Sequence, residues 1–328
     1  MTLEEKFFYI PDVADNISFL TEQLFTQQTQ NWQTAADNYK ELQKTITRTI
    51  EIDGICFKIQ FNPERIRSSA AKIDAQSLSE RKCFLCWQNL PAEQEGIPVC
   101  EDFMILVNPY PIFNKHLTIP KINHIDQTIL PNVGAMLDFA AMLTDYVIFY
   151  NGQKCGASAP DHLHFQAGNK GFMPVENEFS KMKNNLPKKI YKSVTISFAS
   201  DYLRRMITLQ SSNKNDLLEA FDTIYNILTK LQPDEPEPML NILCYANADE
   251  WIMHIFPRIK HRPTQFFAQG NAQLLISPAA VDFGGVLITP RLEDFEKITA
   301  NDIIDIFNQI TINKNNFEMI FDNIVETK

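Results

Sequence analysis

One short segment limits what this 328-residue chain can be. In His162-Leu163-His164-Phe165-Gln166, two imidazoles and a carboxamide alternate with apolar residues. A period of two reads as a strand with its polar groups on one face, so Leu163 and Phe165 enter a core while His162, His164 and Gln166 face a common space. The stretch before it, Cys155 to Asp161, contains Gly156, Ser158 and Pro160 and reads as a small-residue loop. A lone histidine on such a face is usually solvated surface; three such groups together read as a site. A neutral imidazole is a competent nucleophile at neutral pH. Phosphorus suits it, because a nucleotidyl group parked on the ring turns one difficult displacement into two easier ones. Gln166 would steer a phosphate oxygen without adding charge.

Upstream, Cys83-Phe84-Leu85-Cys86 supplies a C-x-x-C in a chain whose other cysteines are scattered singly. Two thiolates at this spacing suit one tetrahedral metal. A redox dithiol is the rival, but the polar, Pro-containing stretch Gln88 to Gly96 that follows is not the helix start such motifs precede. A disulfide is disfavoured by the expected compartment: Met1 to Asn16 is acidic and has no apolar run of signal-peptide length, which predicts a cytoplasmic location. Two more ligands must come from six histidines. His124, just past the strand His116 to Lys121, and His162 are the best placed, with His116 competing for the third position.

His162-x-His164-x-Gln166 resembles the active-site strand of the galactose-1-phosphate uridylyltransferase branch of the histidine-triad superfamily, which includes dinucleoside polyphosphate phosphorylases and GDP-hexose phosphorylases. The resemblance implies that His164 becomes the nucleotidyl-histidine and that Gln166 replaces the third histidine of the hydrolases. Transfer to phosphate or a sugar phosphate is then expected, by a ping-pong route from a nucleotide sugar or dinucleoside polyphosphate. It also implies a structural zinc on Cys83, Cys86, His124 and His162, the four ligand types appearing in the family's order. Asn151, eleven residues before His162, stands where the transferases carry an Asn that contacts phosphates. Ser158 is the counterpart of their Ser, which usually lies nearer the histidine pair. A second block runs from Asn241 through Trp251-x-Met253 and Pro257-Arg258 to Ile276-Ser277-Pro278-Ala279 and Phe283-Gly284-Gly285. It is similar to the C-terminal region of the dinucleoside polyphosphate phosphorylases and extends the resemblance over roughly residues 81 to 295. His254 has no His-x-His partner, so no second metal is expected.

The implied architecture is α+β: duplicated histidine-triad-like, transferase-type half-barrel units with an antiparallel sheet and flanking helices. Residues 1–80 read as a helical segment and strand joined to the core, 81–185 as the catalytic half with the metal, and 186–328 as a second, degenerate half. Strands are expected at Cys56–Phe61, Phe103–Val107, His116–Ile119, Tyr146–Tyr150, Leu240–Tyr245 and Trp251–Phe256, and helices over Glu4–Lys44, Val133–Thr144 and Asn215–Leu231. Linkers are expected around Gly168 to Asn185 and Pro233 to Pro238. An echo between Phe113–Lys121 and Phe283–Arg291, each an aromatic, a loop, an apolar strand and a Pro-Lys/Arg end, suggests the duplicated copies.

Net charge is −10, which disfavours nonspecific nucleic-acid binding, and the longest apolar stretch is broken by Asp138 and Asp145, so no membrane span is expected. Anionic small substrates then need local cations. Arg65, Arg67 and Lys72 form one cluster, and Arg258, Lys260, His261 and Arg262 another; each is either a phosphate site or a solvated basic face. Asn108, at a strand end, either contacts a ribose or base or serves turn chemistry. Two readings of another class stay open: a histidine-triad hydrolase with water as acceptor, and a catalytically silent nucleotide-binding protein that keeps the strand for its metal. Related enzymes often pair across a β edge, which leaves a homodimer open.

Overall fold

A computed structural model describes residues 2–9, 16–66, 75–247 and 250–325. Arg67 and Lys72 lie outside the described residues. The front of the chain is less helical than its sequence suggests: α1 (Ile17–Asn31) and α2 (Gln33–Leu42) are separate helices, followed by the hairpin β1 (Ile46–Ile52) and β2 (Ile55–Phe61) and the short α3 (Ala75–Glu80).

Ten strands then form one open antiparallel sheet. In chain order they are β3 (Gly96–Val99), β4 (Phe103–Val107), β5 (His116–Pro120), β6 (Tyr146–Asn151), β7 (His164–Asn169), β8 (Lys188–Tyr191), β9 (Val194–Ala199), β10 (Met206–Ser211), β11 (Leu240–Asn247) and β12 (Glu250–Pro257). Their spatial order is β3-β4-β5-β7-β6-β11-β12-β10-β9-β8. Read inward from either edge, each half runs first, second, third, fifth, fourth, and the halves meet where Asn151 of β6 pairs with Asn241 of β11. Each half also places a helix between its third and fourth strands, α4 (Val133–Met142) in the first and α6 (Lys214–Leu231) in the second. This is the duplicated α+β unit that the sequence suggested.

The echo between Phe113–Lys121 and Phe283–Arg291 is not its trace. The second copy folds into β13 (Val286–Thr289), which pairs parallel to β2 in a separate three-stranded sheet. The counterpart of β5 is β10, which shares no motif with it, because a shared sheet position demands only apolar alternation. The presumed linker around Gly168 to Asn185 also holds the end of β7 and a helix, α5 (Pro174–Met182).

Alternation along the strands divides the core. Leu117, Ile119, Ile148, Tyr150, Phe165, Ile242 and Ile255 pack on one face with α1, α2, α4 and α6. Phe149, Leu243 and Phe256 point to the other, beneath the three-stranded sheet and α5. Helix α6 shows how the sequence sets this: Asn213 caps it by accepting from the amides of Asn215 and Asp216, and Leu217, Ala220, Phe221, Ile224 and Leu228 make its buried stripe. Burial of each large apolar side chain stabilises by about 1.5–3 kcal/mol. Among the described residues, no helix is long and apolar enough to cross a membrane.

Candidate active site

Strand β7 begins at His164, not at His162. His162 sits in the preceding bend, its amide donating to the Ala159 carbonyl, so the two imidazoles do not share a strand face. That break in the ladder lets neighbouring rings serve different purposes.

The His162 ring turns toward the C-x-x-C. Its Nδ1 lies 3.2 Å from Cys83 Sγ and 3.6 Å from Cys86 Sγ, and His124 Nδ1 lies 3.2 Å from Cys86 Sγ. The donor atoms of Cys83, Cys86, His124 and His162 all fall within 4.8 Å of one another. On a zinc ion with bonds of about 2.3 Å to sulfur and 2.0 Å to nitrogen, a tetrahedral S···N edge spans about 3.5 Å, so the set fits. His162 Nε2 is 2.7 Å from the Lys121 carbonyl. A carbonyl only accepts, so the proton is assigned to Nε2 and the Nδ1 lone pair faces the thiols. The group can hold a metal ion. His116, the competitor, is elsewhere.

His164 points into a cavity of about 630 Å³ that Gln166, Thr118, Asn108, Asn151, Ser158, Arg65, Arg81, His261 and Arg262 also line. Its Nδ1 lies 2.8 Å from the His162 carbonyl, which assigns the proton to Nδ1 and leaves Nε2 as the free lone pair. Burial lowers its pKa to about 4, so the ring is neutral at physiological pH. Gln127 brackets this residue. It accepts from the His164 amide at 2.8 Å, and its own amide donates to the His164 and Asn151 carbonyls at 3.0 and 2.9 Å.

Gln166 is oriented by His116. The fully buried His116 ring accepts from the Ile112 amide at Nδ1, so Nε2 carries the proton and donates to Gln166 Oε1 at 3.0 Å. Burial, with Arg65 nearby, holds its pKa down to about 3. The carboxamide oxygen is thereby engaged and the Gln166 N–H groups are the ones offered to the cavity.

Asn151 is set by the seam between the halves. Its Oδ1 accepts from Asn241 Nδ2 and from the Ala280 amide, both at 2.8 Å, leaving its amide nitrogen as the donor for the cavity. Asn108 lines the cavity but serves the turn, donating to Thr118 Oγ1 and accepting from the Tyr110 amide. Arg65 donates to the Tyr110 carbonyl at 2.9 Å.

Arg258 does not line the cavity. It is fully buried beneath the 257–263 loop, donating to Asn241 Oδ1 at 3.0 Å and to the carbonyls of Pro278, Lys260 and His261. A guanidinium with four internal acceptors is a scaffold cation, and its sequence neighbours His261 and Arg262 are the ones presented to the cavity. Sequence reasoning missed Gln127, Arg81 and the orienting role of His116. His116 shares the face of Thr118 and was legible to that extent; Gln127 sits in a loop and carried no signal.

Residues 24–169 match the family model described as a domain of unknown function (DUF4922), and residues 176–328 match that of the GDPGP1-like, C-terminal domain. No curated protein matches the sequence. Among solved structures, the yeast Ap4A phosphorylase Apa2 is similar with a TM-score of 0.53 at 16% identity, over 85% of this chain and 94% of that one. Its complex with Ap4A gives 0.54 at 14% identity, over 86% and 97%. At such identities the likeness is one of fold.

Proposed function

We propose nucleotidyl transfer through a covalent intermediate on His164, as in the uridylyltransferase, dinucleoside polyphosphate phosphorylase and GDP-hexose phosphorylase branch of the histidine-triad superfamily, a reading that the GDPGP1-like C-terminal domain and the Ap4A phosphorylase-like fold support. The substrate is a nucleotide sugar or a dinucleoside polyphosphate. The observation that carries the reading is the His164 ring: a neutral imidazole, pinned by its Nδ1 proton to a backbone carbonyl, with its Nε2 lone pair in a cavity furnished with cations.

His164 Nε2 attacks the α-phosphorus and a P–N bond forms. The bridging P–O bond breaks, and its electron pair leaves with the departing sugar phosphate or nucleoside polyphosphate, which needs no proton at neutral pH. Gln166 donates to a non-bridging oxygen, and the His162 carbonyl stabilises the charge that develops on the ring. Asn151 and Ser158 hold the phosphate chain, with Arg65 and Arg81 supplying charge. A zinc on Cys83, Cys86, His124 and His162 would be structural, because four protein ligands leave no position for water. Through the backbone from His162, this cluster fixes the carbonyl that orients His164.

Incubation with α-labelled nucleoside diphosphate sugars and dinucleoside polyphosphates should leave acid-labile label on the wild-type protein and none on His164→Ala. No label from any of these donors would overturn the proposal.

A further inference from the structure

Arg81 lines the His164 cavity, and two of its supports come from the group that can hold a metal. Its guanidinium carbon lies 5.3 Å over the ring of Phe84, which sits between Cys83 and Cys86. Its Nη2 donates to Asp161 Oδ1 at 3.0 Å, and Asp161 immediately precedes His162. The other carboxylate oxygen, Oδ2, lies 3.7 Å from His124 Nε2. One carboxylate therefore stands between a cavity cation and a candidate metal ligand, with an oxygen for each.

The ring of His124 gives this arrangement a direction. It turns Nδ1 to Cys86 Sγ, so with a metal on Nδ1 its proton is on Nε2, toward Asp161. A carboxylate at the far nitrogen of a ligating imidazole fixes the ring and raises its basicity. At 3.7 Å the contact is longer than a hydrogen bond, and its strength depends on how much of the carboxylate's charge Arg81 takes. The Arg81–Asp161 pair is not a stability device, because its side chains are 25% and 22% exposed and such pairs contribute little. Arg81 Nε, by contrast, is buried and makes no hydrogen bond to the described residues. An anion in the cavity would complete that donor.

We propose that Asp161 couples the metal group to the cavity: an anionic nucleotide that draws on Arg81 releases Asp161 to His124 and so tightens zinc, and zinc tightens the nucleotide by the same factor. The inference rests on the nucleotide reading of the cavity but not on the covalent step. Two effects act in one direction. Phosphate oxygens take up guanidinium charge that Asp161 otherwise neutralises, which turns the carboxylate's remaining charge to the His124 N–H. The nucleotide's own negative charge also favours a dication nearby. Linkage makes the factor mutual. Asp161 is thus a positioning residue, on a route separate from the backbone path that runs from His162 to the nucleophile.

Zinc affinity is measured at buffered free zinc against a chromophoric chelator, so that zinc binding by the nucleotide itself does not enter. The probes are ADP, GDP and UDP, each at saturation as fixed by calorimetry for each protein. Wild type should hold zinc about fivefold more tightly, or better, with the nucleotide bound. The ratio should fall to within about twofold of unity in Arg81→Gln and in Asp161→Asn, since the single carboxamide oxygen of the latter serves Arg81 or His124 but not both. Without nucleotide, Asp161→Asn should also weaken zinc about 10–100-fold. A wild-type ratio below about two, an unchanged ratio in either variant, or zinc held by Asp161→Asn within about twofold of wild type would each overturn the coupling. Coupling without label on His164 would reject the covalent step and keep this inference. Failure of all three nucleotides to bind wild type would reject the nucleotide reading, and this inference with it.

Discussion

Glu237 precedes β11 at the seam between the two halves, and a single substitution there should change stability in a pH-dependent way. Its Oε1 accepts from the Ile129 amide at 2.6 Å and its Oε2 from the Tyr150 hydroxyl at 2.8 Å, and the residue is 5% exposed. Burial dominates and pushes its pKa up to about 7, against both hydrogen bonds, which favour the charged form. In an unfolded chain a glutamate titrates near ~4.3. The folded state therefore binds the proton more tightly, so the group's contribution is fully present below the unfolded value and is lost as pH rises through about 7. Between about pH 5 and pH 8 that loss comes to about 2.5 kcal/mol. Glu237→Gln keeps the geometry, its oxygen accepting from Ile129 and its nitrogen donating to Tyr150, and removes the titration. Urea unfolding should find the variant within about 1 kcal/mol of wild type at the acid end and more stable by a further ~2.5 kcal/mol at the alkaline end. Parallel stability curves for the two proteins across that interval would refute the reasoning.

Three further outcomes can be checked. The purified protein should carry about one zinc per chain by elemental analysis, and Cys83→Ser should lose it, with activity falling about 10–100-fold as the clamp on His162 loosens; retention of the metal in that variant would reject the ligand set. Gln127→Ala removes three hydrogen bonds to buried backbone, so thermal unfolding should report a loss of about 2–3 kcal/mol, with kcat falling more than KM rises because His164 is no longer bracketed. Gly156→Ala places a Cβ 2.6 Å from the Ala279 Cβ at a φ of +96°, which should cost about 1–3 kcal/mol and disturb the cavity wall; stability unchanged in chemical denaturation would show that the loop relaxes freely.

Much of the fold was legible because periodicity survives translation into structure. The strands at 55–61, 103–107, 146–151, 240–247 and 250–257 and the helix over 214–231 follow from alternation or 3.6-residue stripes that burial then enforces. The duplication was legible only as an idea, and the motif echo chosen for it was misplaced. Local similarity at Pro-ended strands arises from turn chemistry, whereas equivalent positions in the sheet need share nothing beyond apolar alternation. Arg258 misled for a related reason: a charge cluster in sequence does not say which member points inward, and this one spends its guanidinium on four internal oxygens.

By itself the chain determined which chemical groups were available and in what order: two thiols, two imidazoles two residues apart, and a carboxamide after them. Only the tertiary structure decided how they divide. A bend before β7 sends His162 to the thiols and leaves His164 in the cavity, while β5 supplies His116 and loops far apart in sequence supply Gln127 and the 257–263 wall. Side-chain alternation is a local property of the backbone, whereas the tautomer, neutrality and aim of each ring depend on partners that meet it only when distant segments pack.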